Sequence, residues 1–180
     1  MDNMDQEKGL VILYTGEGKG KTTAALGIIL RAVGYKKKCL MVQFGKAWFT
    51  GELVGIKKLS PLVKIIQGGK GFLNILGSKT PLSKHKKAAN AAFDLLYKEV
   101  VSDRWDIVVA DEIVGSASAG VLPEEKVVKL IKDKPVRLDL ILTGHHATKK
   151  LIKLADLITE MQEIKHPFQK GIMAKKGIDF

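Results

Sequence analysis

Cys39 is the single cysteine in 180 residues, so no internal disulfide forms and no CxxC pair is offered to zinc. Aromatic residues make up 6% of the chain, without the interleaved Phe and Tyr of an RNA-stacking surface. Apolar runs such as Leu10 to Tyr14 fall far short of the roughly 20 residues a membrane span needs. The first residues, Met1 to Lys8, lack the basic start and apolar stretch of a signal peptide, so the reading places the protein in the cytoplasm. No internal repeat, kinase signature set or helicase coupling motif appears.

What the chain does have is positive charge. Thirty Lys and Arg face nineteen Asp and Glu, leaving +11 and a pI near 9.6. Such a surface attracts anions: nucleotides, nucleic acid, acidic lipid or an acidic partner. With 46% hydrophobic residues there is enough apolar surface for one domain with its own core.

Short, continuously apolar runs alternate with longer amphipathic stretches. The runs predict strands at Leu10–Tyr14, Cys39–Phe44, Val63–Gln67, Ile107–Ala110 and Leu138–Thr143, with a short sixth at Leu157–Glu160. Helices are predicted at Lys21–Val33, Leu53–Leu59, Ser83–Val101, Pro123–Lys132 and Ala147–Leu154. Pro123 with Glu124 and Glu125 makes a good helix start, since proline and acids both suit a first turn. Alternation of this kind predicts an α/β three-layer sandwich around a mostly parallel central sheet. Gly68–Leu82 and Ile164–Phe180 read as irregular. The expected organisation is a flexible segment at 1–8, one α/β domain at 9–163 and a C-terminal tail at 164–180.

The strongest motif runs Thr15-Gly16-Glu17-Gly18-Lys19-Gly20-Lys21-Thr22-Thr23, between a predicted strand and a predicted helix. Glycines let backbone amides turn inward as an anion nest, and the helix start adds partial positive charge. The usual spacing is G-x-x-x-x-G-K-[ST]; here the first glycine is Gly16, one residue closer to Gly20. Lys21 is expected on phosphate oxygens and the Thr22 hydroxyl on Mg²⁺ or Mn²⁺. A second element agrees with it. Ile107 to Ala110 ends in Asp111 and Glu112, where phosphate-loop proteins place a carboxylate that holds Mg²⁺. Thr143-Gly144 ends another predicted strand, and either faces the same crevice or makes an ordinary turn. The sheet class is therefore that of a phosphate-loop NTPase, RecA-like. Hydrolase, kinase, motor and transferase all remain open on these residues alone.

The chain resembles the phosphate-loop type of ATP:corrinoid adenosyltransferase, over about Gly9 to Phe180. The resemblance rests on Thr15 to Gly27, Arg31 to Gly34, Val42-Gln43-Phe44 with Lys46, Trp48, Gly51 and Glu52, then Asp111-Glu112-Ile113 and Leu142-Thr143-Gly144. It continues in Leu154-Ala155-Asp156, Lys165-His166-Pro167-Phe168, Gly171, Ala174 and Gly177-Ile178-Asp179-Phe180. It implies transfer of the 5′-deoxyadenosyl group of ATP to cobalt(I) of a reduced corrinoid, with tripolyphosphate leaving. It implies ATP lying reversed in the loop, with Thr15 to Thr23 on ATP and Lys21, Thr22 and Glu112 central to catalysis. Mg²⁺ is expected on Thr22, Asp111 and Glu112. Corrinoid contacts are expected from Trp48, Phe72, Asn74, His166 and Phe168, with the tail folded over the corrinoid. A homodimer and an acidic flavodoxin-like electron donor, in cobalamin biosynthesis, follow from the same resemblance; neither nucleic acid nor membrane is an expected partner.

Three positions depart from the family pattern. Asn74 stands where a Trp is usual after Phe72; His145-His146 follow Gly144 where Arg is common; Glu17 replaces Asn or Asp. Arg31, ten residues beyond Lys21, lies about 15 Å along a straight helix, so a packing or dimer role suits it as well as phosphate. The competing readings are a phosphate-loop ATPase, kinase-like or nucleic-acid-stimulated, and a non-catalytic ATP- and corrinoid-binding protein.

Overall fold

The apolar runs pair into a single sheet in the computed structural model, which describes residues 8–69, 71 and 81–180. Strands β1 (Val11–Thr15), β2 (Cys39–Gln43), β3 (Val63–Gln67), β4 (Ile107–Asp111), β5 (Asp139–Thr143) and β6 (Leu157–Glu160) lie in the order β3-β2-β4-β5-β1-β6. Every pairing is parallel, so the expected mostly parallel sheet is wholly so among the described residues. Parallel strands need crossovers, and helices supply them on both faces.

Side chains alternate between two cores, as strand geometry requires. Leu40, Val42, Val108, Ala110, Leu140 and Leu142 point to one face. Helices α3 (Leu82–Val100), α4 (Ile113–Ser118), α5 (Glu124–Asp133) and α6 (Lys149–Leu154) cover that face. Cys39, Met41, Val109 and Ile141 point to the other, under α1 (Lys21–Val33) and a 3₁₀ turn at Ile56–Leu59. The spacing explains each helix's position. In α1, Ala25, Ile29 and Ala32 fall on one stripe; in α3, Ala89, Ala92, Phe93, Leu96 and Val100 do. Leu96 is fully buried, and burial of such a side chain contributes roughly 1.5–3 kcal/mol.

Boundaries move by a residue or two from those expected, and two strands, β1 and β4, extend into the polar residue that follows the apolar run. β4 includes Asp111, which Gln43 of β2 pairs with in register. The helix expected at Leu53–Leu59 is instead one turn, α2 (Glu52–Gly55), followed by the 3₁₀ turn, the change falling at Gly55, a poor helix former. Two elements were not foreseen: α4, too short and too rich in Gly and Ser to show periodicity, and a 3₁₀ turn at Pro167–Lys170. The expected flexible segment falls almost wholly outside the described residues, as do Phe72 and Asn74.

Parallel order puts the carboxyl ends of β1, β5 and β4 side by side. Tyr14 pairs with Thr143, and Ala110 with Leu142, so Asp111 emerges beside Thr143 and opposite the phosphate loop.

Candidate active site at the phosphate loop

The loop's shape is set by a chain segment the sequence does not flag. After β6 the backbone continues along the loop, with Met161 N–H donating to Thr15 and Gly18 N–H to the Met161 carbonyl at 2.7 Å. A Cβ at Gly16, whose φ is +95°, would lie 2.3 Å from the Met161 oxygen, and one at Gly18 would lie 2.7 Å from Gln162. These two glycines therefore give clearance to 161–162 as much as to an anion. The Gly18 amide is spent on Met161. The amides at the start of α1 have no side-chain cap, because the N-cap is Gly20 in a left-handed conformation. Those orphan donors and the helix dipole could receive an anion.

Lys21 is buried, and its ammonium donates to the carbonyls of Gly16 and Gly18 at 2.7 Å each. Burial pulls its pKa below the ordinary lysine value, against the opposing charges of Glu112, Glu17 and Asp111. Lys19 reaches outward and pairs with Asp179. Glu17 faces two imidazoles, His146 Nδ1 at 3.2 Å and His145 Nδ1 at 3.5 Å. The His145 pKa is lowered by burial and by Lys21, with Glu17 opposing. The Thr15 hydroxyl accepts the Ala147 N–H, so it fixes the β5–α6 loop against β1. Thr23 is exposed.

Asp111 and Glu112 sit in different surroundings. Asp111 is wholly buried, and its Oδ1 accepts the hydroxyls of Thr22 and Thr143, both at 2.8 Å. Its Oδ2 accepts Gln43 Nε2 at 3.2 Å and faces Lys46 Nζ at 3.4 Å. Four partners use about all the lone-pair directions a carboxylate has. Glu112 takes a left-handed backbone, φ 62°, with its N–H held by Thr143 Oγ1 at 2.9 Å. Its carboxyl is pushed up to about 7, first by burial and then by the charge of Asp111.

Lys46 belongs to a half-buried network that no local pattern of residues announces. It bonds Glu52 Oε1 at 3.1 Å; Gln43 bonds both Glu52 and Asp111; Gln67 bonds Gln43 and the Trp48 carbonyl. Burial pushes the Glu52 pKa up, but hydrogen bonds from Gln43 and the charge of Lys46 outweigh it and leave it lowered. The signal available was Gln43, a polar residue closing a strand buried at every position.

On the far side of Glu112 opens a cavity of about 470 Å³. Gly69 and Gly71, Ala88 and Ala89 of α3, Ser116 of α4, and His145 help to line it. His85, 5% exposed, also faces it. Trp48 packs near its rim, about 4.0 Å from where a side chain on Gly71 would begin. His166 caps the Pro167–Lys170 turn, its Nδ1 accepting the Phe168 N–H, and Phe168 is exposed. Neither lines the cavity.

Among the described residues no cluster of three or more His, Cys, Asp or Glu is set to hold a metal. The donors at Thr22 and Glu112 still fit Mg²⁺, which is bound through one or two carboxylates together with phosphates and water. A dication would also relieve the burial penalty on the Glu112 carboxylate.

The chain is similar to known proteins. A corrinoid adenosyltransferase of Sinorhizobium sp is 36% identical, over 100% of this chain and 84% of that one. Corrinoid adenosyltransferase of Escherichia coli K12 and Corrinoid adenosyltransferase CobA of Salmonella typhimurium LT2 are each 34% identical, over 97% of this chain and 87% of theirs. A KaiC-like protein of the archaeon Pyrococcus horikoshii OT3 superposes with a TM-score of 0.59 at 15% identity, over 99% of this chain and 82% of its own. At that identity it establishes the RecA-like sheet alone. The family model for ATP:corrinoid adenosyltransferase BtuR/CobO/CobP matches residues 7–180, and the chain belongs to that transferase family.

Proposed function

We propose that this chain moves the 5′-deoxyadenosyl group of ATP onto cobalt(I) of a reduced corrinoid and releases tripolyphosphate. One observation carries the reading: Glu112 stands at once against the Asp111–Thr22 network of the phosphate loop and on the wall of the cavity. A group on the loop and a group in the cavity would meet there.

The reaction breaks the bond from C5′ to the triphosphate oxygen and forms a cobalt–carbon bond. The electron pair of cobalt(I) makes the new bond, and the old pair leaves with the triphosphate. Cobalt(I) is the nucleophile, so the protein needs no general base. Its work is to align the two substrates and to stabilise charge on the departing triphosphate. On this reading the α1 amides, Lys19 and Lys21 hold the phosphates. Thr22 and Glu112 hold Mg²⁺, or Mn²⁺, which supplies Lewis-acid stabilisation of the leaving group when bound. Asp111, fully partnered, orients Thr22 and Thr143 and serves the metal from behind. His145 and His146 bring a titratable charge to the loop where the family commonly has Arg.

The corrinoid enters from the cavity side, with Trp48 and His85 nearest it. Phe72 and Asn74 belong to the same proposal from sequence. His166 and Phe168 do not line the cavity, and their corrinoid contact belongs to this proposal from sequence. A homodimer, a cytoplasmic setting and an acidic flavodoxin-like reductant go with this reading.

The test is anaerobic mixing with Mg-ATP and chemically reduced cob(I)alamin. A light-sensitive adenosylcobalamin spectrum with tripolyphosphate is the expected result. ADP in place of tripolyphosphate, without any organocobalt product, overturns it in favour of an ATPase.

A further inference from the structure

Lys19 is the outermost cation of the phosphate loop, and it is held by a carboxylate from the far end of the sequence. Asp179 pairs with it while being only 16% exposed. An ordered turn delivers that carboxylate. Asp179 Oδ2 accepts the Lys175 N–H at 2.6 Å, Asp179 N–H returns to the Lys175 carbonyl at 2.8 Å, and Gly177 N–H bonds the Phe180 carbonyl at 2.7 Å. The Phe180 carbonyl lies 3.9 Å from where a side chain on Gly51 would begin. The turn therefore bridges the loop after β1 and the start of α2, next to Glu52 of the Lys46 network.

We propose that Asp179 is a built-in competitor of the polyphosphate for Lys19. The inference rests on the reading that a triphosphate binds this loop. A carboxylate and a polyphosphate cannot both crowd one ammonium without mutual repulsion, and the polyphosphate carries more charge. Substrate therefore takes Lys19 and frees the 175–180 turn. The return of Asp179 then helps to expel the product. Such help matters for this reaction, because cleavage at C5′ leaves all the phosphates together on the loop. An enzyme that splits the chain of phosphates weakens its own product's grip; this one does not.

The experiment is titration of wild type, Asp179→Asn, Lys19→Met and the double variant with inorganic tripolyphosphate and Mg²⁺. Hydrogen exchange of the Lys175 and Asp179 amides is followed in parallel. Asp179→Asn is expected to tighten tripolyphosphate about twofold to fivefold, the range of a partly exposed ion pair. The gain disappears in the Lys19→Met background. In wild type, tripolyphosphate is expected to speed exchange at both amides. Equal or weaker binding by Asp179→Asn overturns the proposal, as does exchange that tripolyphosphate leaves unchanged. If neither wild type nor Asp179→Asn binds tripolyphosphate, the phosphate-loop reading fails and takes this inference with it. If both bind it but no cobalt–carbon bond forms, the proposed reaction fails while the competition at Lys19 stands on its own result.

Discussion

Adjacent carboxylates at 111 and 112 carry separate tasks because their surroundings differ. Asp111 is fully buried and saturated with donors, whereas Glu112 is half-buried with its carboxyl near 7. Its pKa rises from 4.5 on folding, so folding binds a proton between these values. Below the lower value both states are protonated and the residue costs nothing. As pH rises through the window the cost grows, and above the upper value it is complete. Glu112→Gln, with metal chelated, is therefore expected to match wild type near pH 4 and to exceed it by up to about 3 kcal/mol near pH 8. Urea unfolding at both pH values checks this. The same variant is expected to lose at least about a hundredfold in adenosyl transfer, comparable to loss of an electrostatic stabiliser. Thr143→Val removes a donor to Asp111 and the acceptor of the Glu112 N–H at once. It is expected to destabilise by about 1–3 kcal/mol, with Thr143→Ser close to wild type. Cys39 plays no chemical part: it is fully buried, and burial, then Asp106, pushes its thiol up to about 12.

Among the elements, α1 and the loop before it were the most readable. Lys21–Val33 is predicted and observed with the same ends, because Gly20 and Gly34 bracket an apolar stripe of helical period. The glycines in this region have two different jobs, and substitution separates them. Gly16→Ala places a Cβ 2.3 Å from the Met161 carbonyl at a φ of +95°. It is expected to lower stability by more than about 1 kcal/mol and to weaken ATP binding, since the loop must shift. Gly27, mid-helix and exposed, has nothing within 4 Å of its Cβ position, so Gly27→Ala is expected to stabilise by about 1 kcal/mol. Thermal unfolding and nucleotide titration of both variants separate the two roles. Helix α4 was invisible because six residues, with a glycine and two serines among them, carry no period.

For the whole molecule, +11 is a field rather than a contact. Under the proposed function it steers the polyanionic substrate and an acidic electron donor. The rate of corrinoid reduction by a flavodoxin-like protein is expected to fall steeply between about 0.05 and 0.5 M salt. Stopped-flow reduction across that range is the check; a flat profile removes the steering role. The lysines that create the field lie along the whole sequence, and none of them individually marks a binding face. No helix among the described residues is long and apolar enough to cross a membrane, in keeping with apolar runs that stop after a few residues.

The sequence by itself determined the α/β class, the strand and helix alternation, the phosphate loop and the paired acids. These are local: a strand run, a helix stripe or a glycine-rich junction is written in neighbouring residues, where period and spacing are visible. Tertiary structure decided which local pieces meet. Strand order, not sequence proximity, puts Thr143 on Asp111 and aligns Glu112 with a cavity wall. Packing of the chain after β6 explains why the loop needs Gly16 and Gly18 and why one of its amides is spent. The burial that separates Asp111 from Glu112, and the meeting of Lys19 with Asp179, depend on contacts between segments far apart in the chain. Charge, burial and hydrogen-bond saturation are properties of such meetings, so they appear only once the chain has folded.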